Sequence, residues 1–378
     1  MAIYFILCGI YFVVALYEIN KSWGKYGRKI ICLLMLIPLY ILTAFRSVNV
    51  GTDTLTYYNA FNYIIHYSSI LDAIHYSRME AGYVVLNYIV GSFGGSFLTL
   101  QIIISSFIYI SVFRFILNNS QNIGLSCFLF LTLRMFCGPM NTVREWIAIA
   151  ILLFAIHYIC QRKFIRFLLM VIAASLFHFT ALIFLVMYPL YAIKRMSVIS
   201  IGAFFASCVV VILGNTFFSF IFNTIGRYEG YLNTQYFAGG INIATVISIF
   251  VTAVFMVLAY CTKTIELFDR RLVSVKWKGN SFIKEGNSET DKLFSIMMVL
   301  YTSLIFVGIV STIMSRVASY FIVSILIVIP HALNNIKNKS VSFIVMILIA
   351  SICVVYFYLV LRYRPGWNGI NNFSWYFQ

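Results

Sequence analysis

Charge is scarce in this chain, and negative charge is scarcest. Of 378 residues only 11 are Asp or Glu, against 27 Lys or Arg, which leaves charged side chains at 10% and a formal net charge of +16. About 25% charged residues would be ordinary for a soluble domain, so a soluble enzyme is excluded. Disorder is excluded as well, because 62% of the residues are hydrophobic and disordered segments lack that apolar mass. The eight cysteines (Cys8, Cys32, Cys127, Cys137, Cys160, Cys208, Cys261 and Cys353) form no C-x-x-C pair. Lying mostly in apolar stretches, they read as small buried hydrophobes rather than as disulfides or metal ligands. There is no Asp-x-Asp pair, no visible internal repeat and no low-complexity segment. The basic residues stand singly between apolar runs instead of on one face, which argues against a nucleic-acid partner. What remains is an all-α polytopic integral membrane protein.

A spanning helix needs about 20 apolar residues. By that measure the first spans are Ala2–Tyr17, Ile30–Phe45, Phe97–Leu117, Ile123–Phe136, Glu145–Cys160 and Phe164–Phe177. The remainder are Phe179–Ile193, Ser197–Phe222, Ile243–Thr262, Leu293–Met314, Val317–Ala332 and Val341–Leu361. That gives about 12 transmembrane helices in a single membrane domain over residues 1–378. Glu80–Phe93 is too polar at its start to span and reads as a re-entrant or interfacial outer helix. Ala2–Tyr17 has no basic residue before it, while Lys21, Lys25, Arg28 and Lys29 follow. A signal peptide has the reverse order, so this segment is expected to stay, with its N-terminus outside.

The positive-inside rule assigns the loops to sides. Residues 46–96 and 223–242 become outer loops, and 263–292 becomes a cytoplasmic loop. The stretch Phe164–Ile193, basic at both ends, reads as a hairpin with an outward tip near His178. All 12 lysines then fall inside. The outer set is arginine alone: Arg46, Arg78, Arg134, Arg144, Arg227, Arg316, Arg362 and Arg364. Arginine pairs bidentately with phosphate oxygens and keeps its charge when desolvated, so this split points to recognition of an anion such as pyrophosphate. The alternative is that arginine snorkels better at an interface. Arg134 lies within an apolar run, where a charge is expensive and usually functional.

The first outer segment reads FRSVNVGTDTLTYYNAF, from Phe45 to Phe61. Gly51 permits close backbone approach, and Thr52, Asp53 and Thr54 either cap the next helix or leave N–H groups for an anion. Tyr57 and its aromatic neighbours suit sugar stacking or an interfacial belt. Arg-Ser-x-x-Val-Gly-Thr-Asp-Thr-x-x-Tyr after an early membrane helix resembles the signature of the EpsG-like proteins, a branch of the Wzy-type O-antigen and exopolysaccharide polymerases. Three further segments are similar to that family in the same order. They are MNTVREWIAIA with Arg144, AASLFHFTALIFL with His178, and SRVASYF with Arg316 and Tyr320. The tail WNGINNFSWYFQ matches no family pattern.

The resemblance implies a membrane glycosyltransferase that polymerises undecaprenyl-pyrophosphate-linked repeat units on the outer side of the bacterial cytoplasmic membrane. Its implied partners are those lipid-linked glycans and the bilayer, with a chain-length regulator as a further candidate. Neither a metal nor another cofactor is called for. Arg144 and Arg316, joined by Arg46 and Arg134, would hold the pyrophosphate. His178, Asp53 and Glu80 are candidate bases, although a histidine at such a hairpin also serves well by simply bonding a backbone carbonyl. Gly51, Thr52, Thr54, Tyr57, Glu80, Arg227 and Tyr320 complete the expected substrate contacts. The rival readings are a flippase for lipid-linked oligosaccharides and an O-antigen ligase.

Overall fold

The computed structural model describes residues 2–21, 23–225, 243–265 and 289–378. Two compact units divide the chain, one of Met1–Leu185 with Met346–Gln378 and the other of Val186–Val345. Among the described residues the elements are helices, with one isolated antiparallel bridge between Arg46 and Trp375. This is an all-α polytopic membrane protein.

The first unit opens with α1 (Ala2–Asn20) and α2 (Lys25–Ala44) and continues through three short helices, α3 (Thr54–Ile64), α4 (Ile70–Tyr76) and α5 (Ala81–Ser92). Then come α6 (Phe97–Asn119), α7 (Ile123–Thr132), α8 (Gly138–Asn141), α9 (Val143–Cys160) and α10 (Phe164–Ser175). Local chemistry marks several starts. The Ser96 side chain accepts from the Thr99 N–H while Thr99 reaches back, a capping box that begins α6. Asn122 accepts the Leu125 N–H at 2.7 Å to begin α7. All ten residues of α7 are buried. A helix apolar on every side belongs in a core, and α1, α2 and α6 pack against it.

The second unit holds α11 (Met187–Ala192), α12 (Met196–Leu213), α13 (Asn215–Ile225), α14 (Ile243–Cys261), α15 (Glu289–Val307), α16 (Thr312–Ile322) and α17 (Ile325–Asn335). Helix α15 packs against α12 and α16. The last helix, α18 (Lys339–Tyr363), returns the chain to the first unit.

Among the described residues seven helices have the length and apolarity to cross a membrane: α1, α2, α6, α9, α12, α14 and α18. Two bent pairs raise the number to 9, α7 with Met135–Asn141 at 60° and Ile313–Ile322 with α17 at 53°. The remaining expected spans differ for physical reasons. Leu293–Met314 falls largely on α15, whose first turn carries Glu289, Asp291 and Lys292. Phe164–Phe177 forms the 12-residue α10, about 18 Å long at 1.5 Å per residue, against a hydrocarbon layer of about 30 Å. Phe179–Ile193 forms a 3-10 helix, Phe179–Val186, before α11. The expected re-entrant segment Glu80–Phe93 forms α5, itself only 12 residues. Most of 223–242, with Arg227, and of 263–292 lies outside the described residues.

Candidate functional site

The signature segment folds as a compact turn between α2 and α3, pinned to the residues that precede α9. Gly51 has φ +95, and a Cβ there would stand 2.7 Å from the Met140 carbonyl oxygen. Glycine is required for both reasons. The Thr52 backbone N–H and hydroxyl both donate to Asn141 Oδ1, at 2.6 and 2.9 Å. The Thr54 hydroxyl lies 2.6 Å from the Val50 carbonyl and 3.0 Å from that of Met140. Arg46 is buried, and its guanidinium donates to the carbonyls of Thr43 at 2.5 Å and Met140 at 3.4 Å. Asp53 takes the N-cap position of α3 without a side-chain cap bond. The turn therefore ties α2, α3 and the start of α9 together, and Arg144 sits in the first turn of α9.

A second convergence brings Arg144 to its partners. The chain turns at Leu176–His178, after α10, and this turn meets the start of α5. The Gly82 N–H donates to the Leu176 carbonyl at 2.8 Å. A Cβ on Gly82 would come within 2.8 Å of that same oxygen, so only glycine allows this approach. Behind the turn, Phe167 of α10 and Phe184 of the 3-10 helix lie 6.3 Å apart, closing the arms of a hairpin. The hairpin delivers His178 Nδ1 to 3.2 Å from Glu80 Oε1. The other carboxylate oxygen, Glu80 Oε2, accepts from Arg144 Nη1. The Arg144 guanidinium also lies over the ring of buried Tyr57, 5.8 Å from its centroid.

One carboxylate thus joins a cation and an imidazole that are far apart in sequence. The three remain partly accessible, with exposures of 23% for Arg144, 16% for Glu80 and 23% for His178. Burial by itself would raise the Glu80 carboxyl, but the hydrogen bond with His178 and the charge of Arg144 hold it at about 2. It is a fixed anion near neutrality and a poor base. With that anion accepting at Nδ1, the neutral imidazole carries its proton there and leaves Nε2 as the basic nitrogen.

Arg134 occupies a different place. It adopts φ +62 where α7 breaks, and it donates to Tyr356 Oη at 2.7 Å and Asn368 Oδ1 at 2.8 Å. The second unit carries Arg316 on α16, exposed, with buried Tyr320 one turn later. Asn141, Gly82 and the trio Tyr356, Trp367 and Asn368 were not singled out by sequence reasoning. Asn141 is the second residue of the matched MNTVREW segment, and Gly82 stands in a Glu-Ala-Gly start to α5 whose small residues signal close packing.

Comparison with known protein families gives a match over nearly the whole chain. The model of the EpsG family aligns with residues 29–375. No curated protein and no solved structure matches at a significant level.

Proposed function

Because the chain belongs to the EpsG family, which points to a membrane polysaccharide polymerase of glycosyltransferase type, we propose that it extends glycans carried on undecaprenyl pyrophosphate at the outer face of the bacterial cytoplasmic membrane. The observation that carries this reading is the meeting of Arg144, Glu80 and His178. Together they present a cation suited to pyrophosphate beside an imidazole oriented as a base.

The chemistry is a displacement at the anomeric carbon of the donor sugar. A hydroxyl oxygen at the non-reducing end of the acceptor bonds to that carbon. The bond from carbon to pyrophosphate oxygen breaks, and undecaprenyl pyrophosphate departs with the electron pair. His178 Nε2 takes the hydroxyl proton while Glu80 holds the ring by Nδ1, so Glu80 positions and His178 reacts. Arg144 stabilises the charge that grows on the leaving phosphate oxygens. Arg316, in the second unit, is a further candidate cation by the likeness of its segment to the family's late arginine. The signature turn acts by fixing the start of α9, and Tyr57 backs the Arg144 guanidinium with its ring face.

The test is glycan length in deletion cells complemented with wild type, Arg144→Ala, Arg316→Ala or His178→Ala at matched membrane levels. Wild type should restore a ladder of long chains while the variants leave single repeat units. Long chains in the deletion itself would contradict the reading. Lipid-linked units trapped on the cytoplasmic side would point to a flippase instead.

A further inference from the structure

The C-terminal tail, in which sequence reading found no family pattern but which the family model covers as far as residue 375, folds back over the signature turn within the first unit. Trp375 bridges Arg46 in antiparallel fashion. Ser47 N–H donates to the Ser374 carbonyl at 3.0 Å, and Tyr376 N–H donates to the Phe45 carbonyl at 2.9 Å. Further along, Gly51 N–H donates to the Gly369 carbonyl at 3.1 Å. Gly369 has φ +59, and a Cβ there would sit 3.0 Å from the Gly51 backbone. Two glycines thus face each other where tail and turn touch. The Tyr4 hydroxyl donates to the Ile370 carbonyl at 3.2 Å and anchors the tail to α1.

Arg134 holds the root of this segment. Its guanidinium lies 5.0 Å from the ring centroid of Trp367 and 5.4 Å from that of Tyr356. The same guanidinium bonds Asn368 and Tyr356. Cation and aromatic faces attract, and two directed hydrogen bonds fix the geometry. The cation at the break of α7 is thereby coupled to the residues just before Gly369.

We propose that Pro365–Gln378 is a strap that positions the candidate site, with Arg134 as the positioning residue that clamps it. Arg134 fixes Trp367 and Asn368, the tail backbone then holds Phe45–Gly51, and Thr52 and Thr54 pass that constraint through Asn141 and Met140 to the start of α9 and so to Arg144. The claim that the strap supports polymerisation rests on the function proposed above. The existence of the clamp does not.

The experiment uses the full chain in membranes. Ser47→Cys and Ser374→Cys are paired to report the strap, since facing residues of an antiparallel pair stand about 5.5 Å apart, within reach of a disulfide. Mild oxidation should form this bond, detected by peptide mass spectrometry, in the Arg134 background and several-fold less in Arg134→Ala. Arg134→Ala should also lower the yield of long glycan by about tenfold or more, as small misplacements near a reaction do. Locking the strap by the disulfide in Arg134→Ala should recover most of that yield. Cross-linking indifferent to Arg134, normal chains in Arg134→Ala, or no recovery in the locked variant would each overturn the proposal. Arg134-dependent cross-linking in a wild type that builds no polymer would support the clamp and count against the polymerase reading.

Discussion

Glu80 is the residue on which the candidate site turns, and its behaviour is testable apart from any reaction. Its carboxyl lies at about 2 in the fold against an ordinary 4.5. A lowered carboxylate pKa means that the ionised form stabilises the fold above the ordinary value and that this contribution fades as pH falls through the folded one. Glu80→Gln should therefore lower the melting midpoint of the purified protein by a constant amount between about pH 5 and 8, with the gap to wild type closing only in strong acid. A gap that closes already near neutrality would contradict the assignment. For catalysis, Arg144→Ala and His178→Ala should each reduce chain extension about a hundredfold or more, as loss of one transition-state donor does. Arg144→Lys should recover little of it, because an ammonium does not reproduce the planar fork. Arg144 and His178 were legible from their motifs. Glu80 was singled out too, as a candidate base and substrate contact. Its role as their common partner was not legible, because 64 and 98 residues separate it from Arg144 and His178, and such closures leave no periodic trace in a sequence.

The signature turn and the hairpin show what short elements contribute. Gly51 could be read as a close-approach glycine from the Gly-Thr-Asp-Thr run, and its φ of +95 against the Met140 carbonyl supplies the reason. Gly51→Ala should cost about 1–3 kcal/mol, visible as a lower melting midpoint in detergent. Gly82→Ala should act more locally, pushing the start of α5 off Leu176 and parting Glu80 from His178. Its expected signature is a loss of chain extension that exceeds the loss of thermal stability, measured on the same preparation. The break in α7 was hidden for a different reason. The residue there is Arg134, neither glycine nor proline, with a left-handed backbone and a side chain bonded to Tyr356 of α18 and Asn368 of the tail, 222 and 234 positions away. The apolar run Phe164–Ile193 likewise has composition enough for membrane burial. Its basic ends gave the turn near His178, but nothing in the apolar run signalled that the second arm continues as a 3-10 helix.

Across the bilayer, hydropathy identified the class without difficulty, since 62% hydrophobic residues leave few alternatives. It served less well for the spans, because apolarity does not register where a helix breaks, as α7 does before Met135–Asn141. Sidedness can be tested with cysteine variants and a membrane-impermeant maleimide. Thr52→Cys, at an exposed position, should label from outside in intact cells lacking an outer barrier, and Ser281→Cys only after lysis. The central claim, that this chain joins lipid-pyrophosphate-linked repeat units through Arg144, is tested most directly by reconstitution. Purified protein in lipid vesicles is given undecaprenyl-pyrophosphate-linked repeat units from the same cell, and the products are resolved by length. The account predicts a ladder from wild type, released undecaprenyl pyrophosphate equal to the bonds formed, and unextended units with Arg144→Ala. Unextended units with wild type, or equal ladders from both proteins, would contradict it.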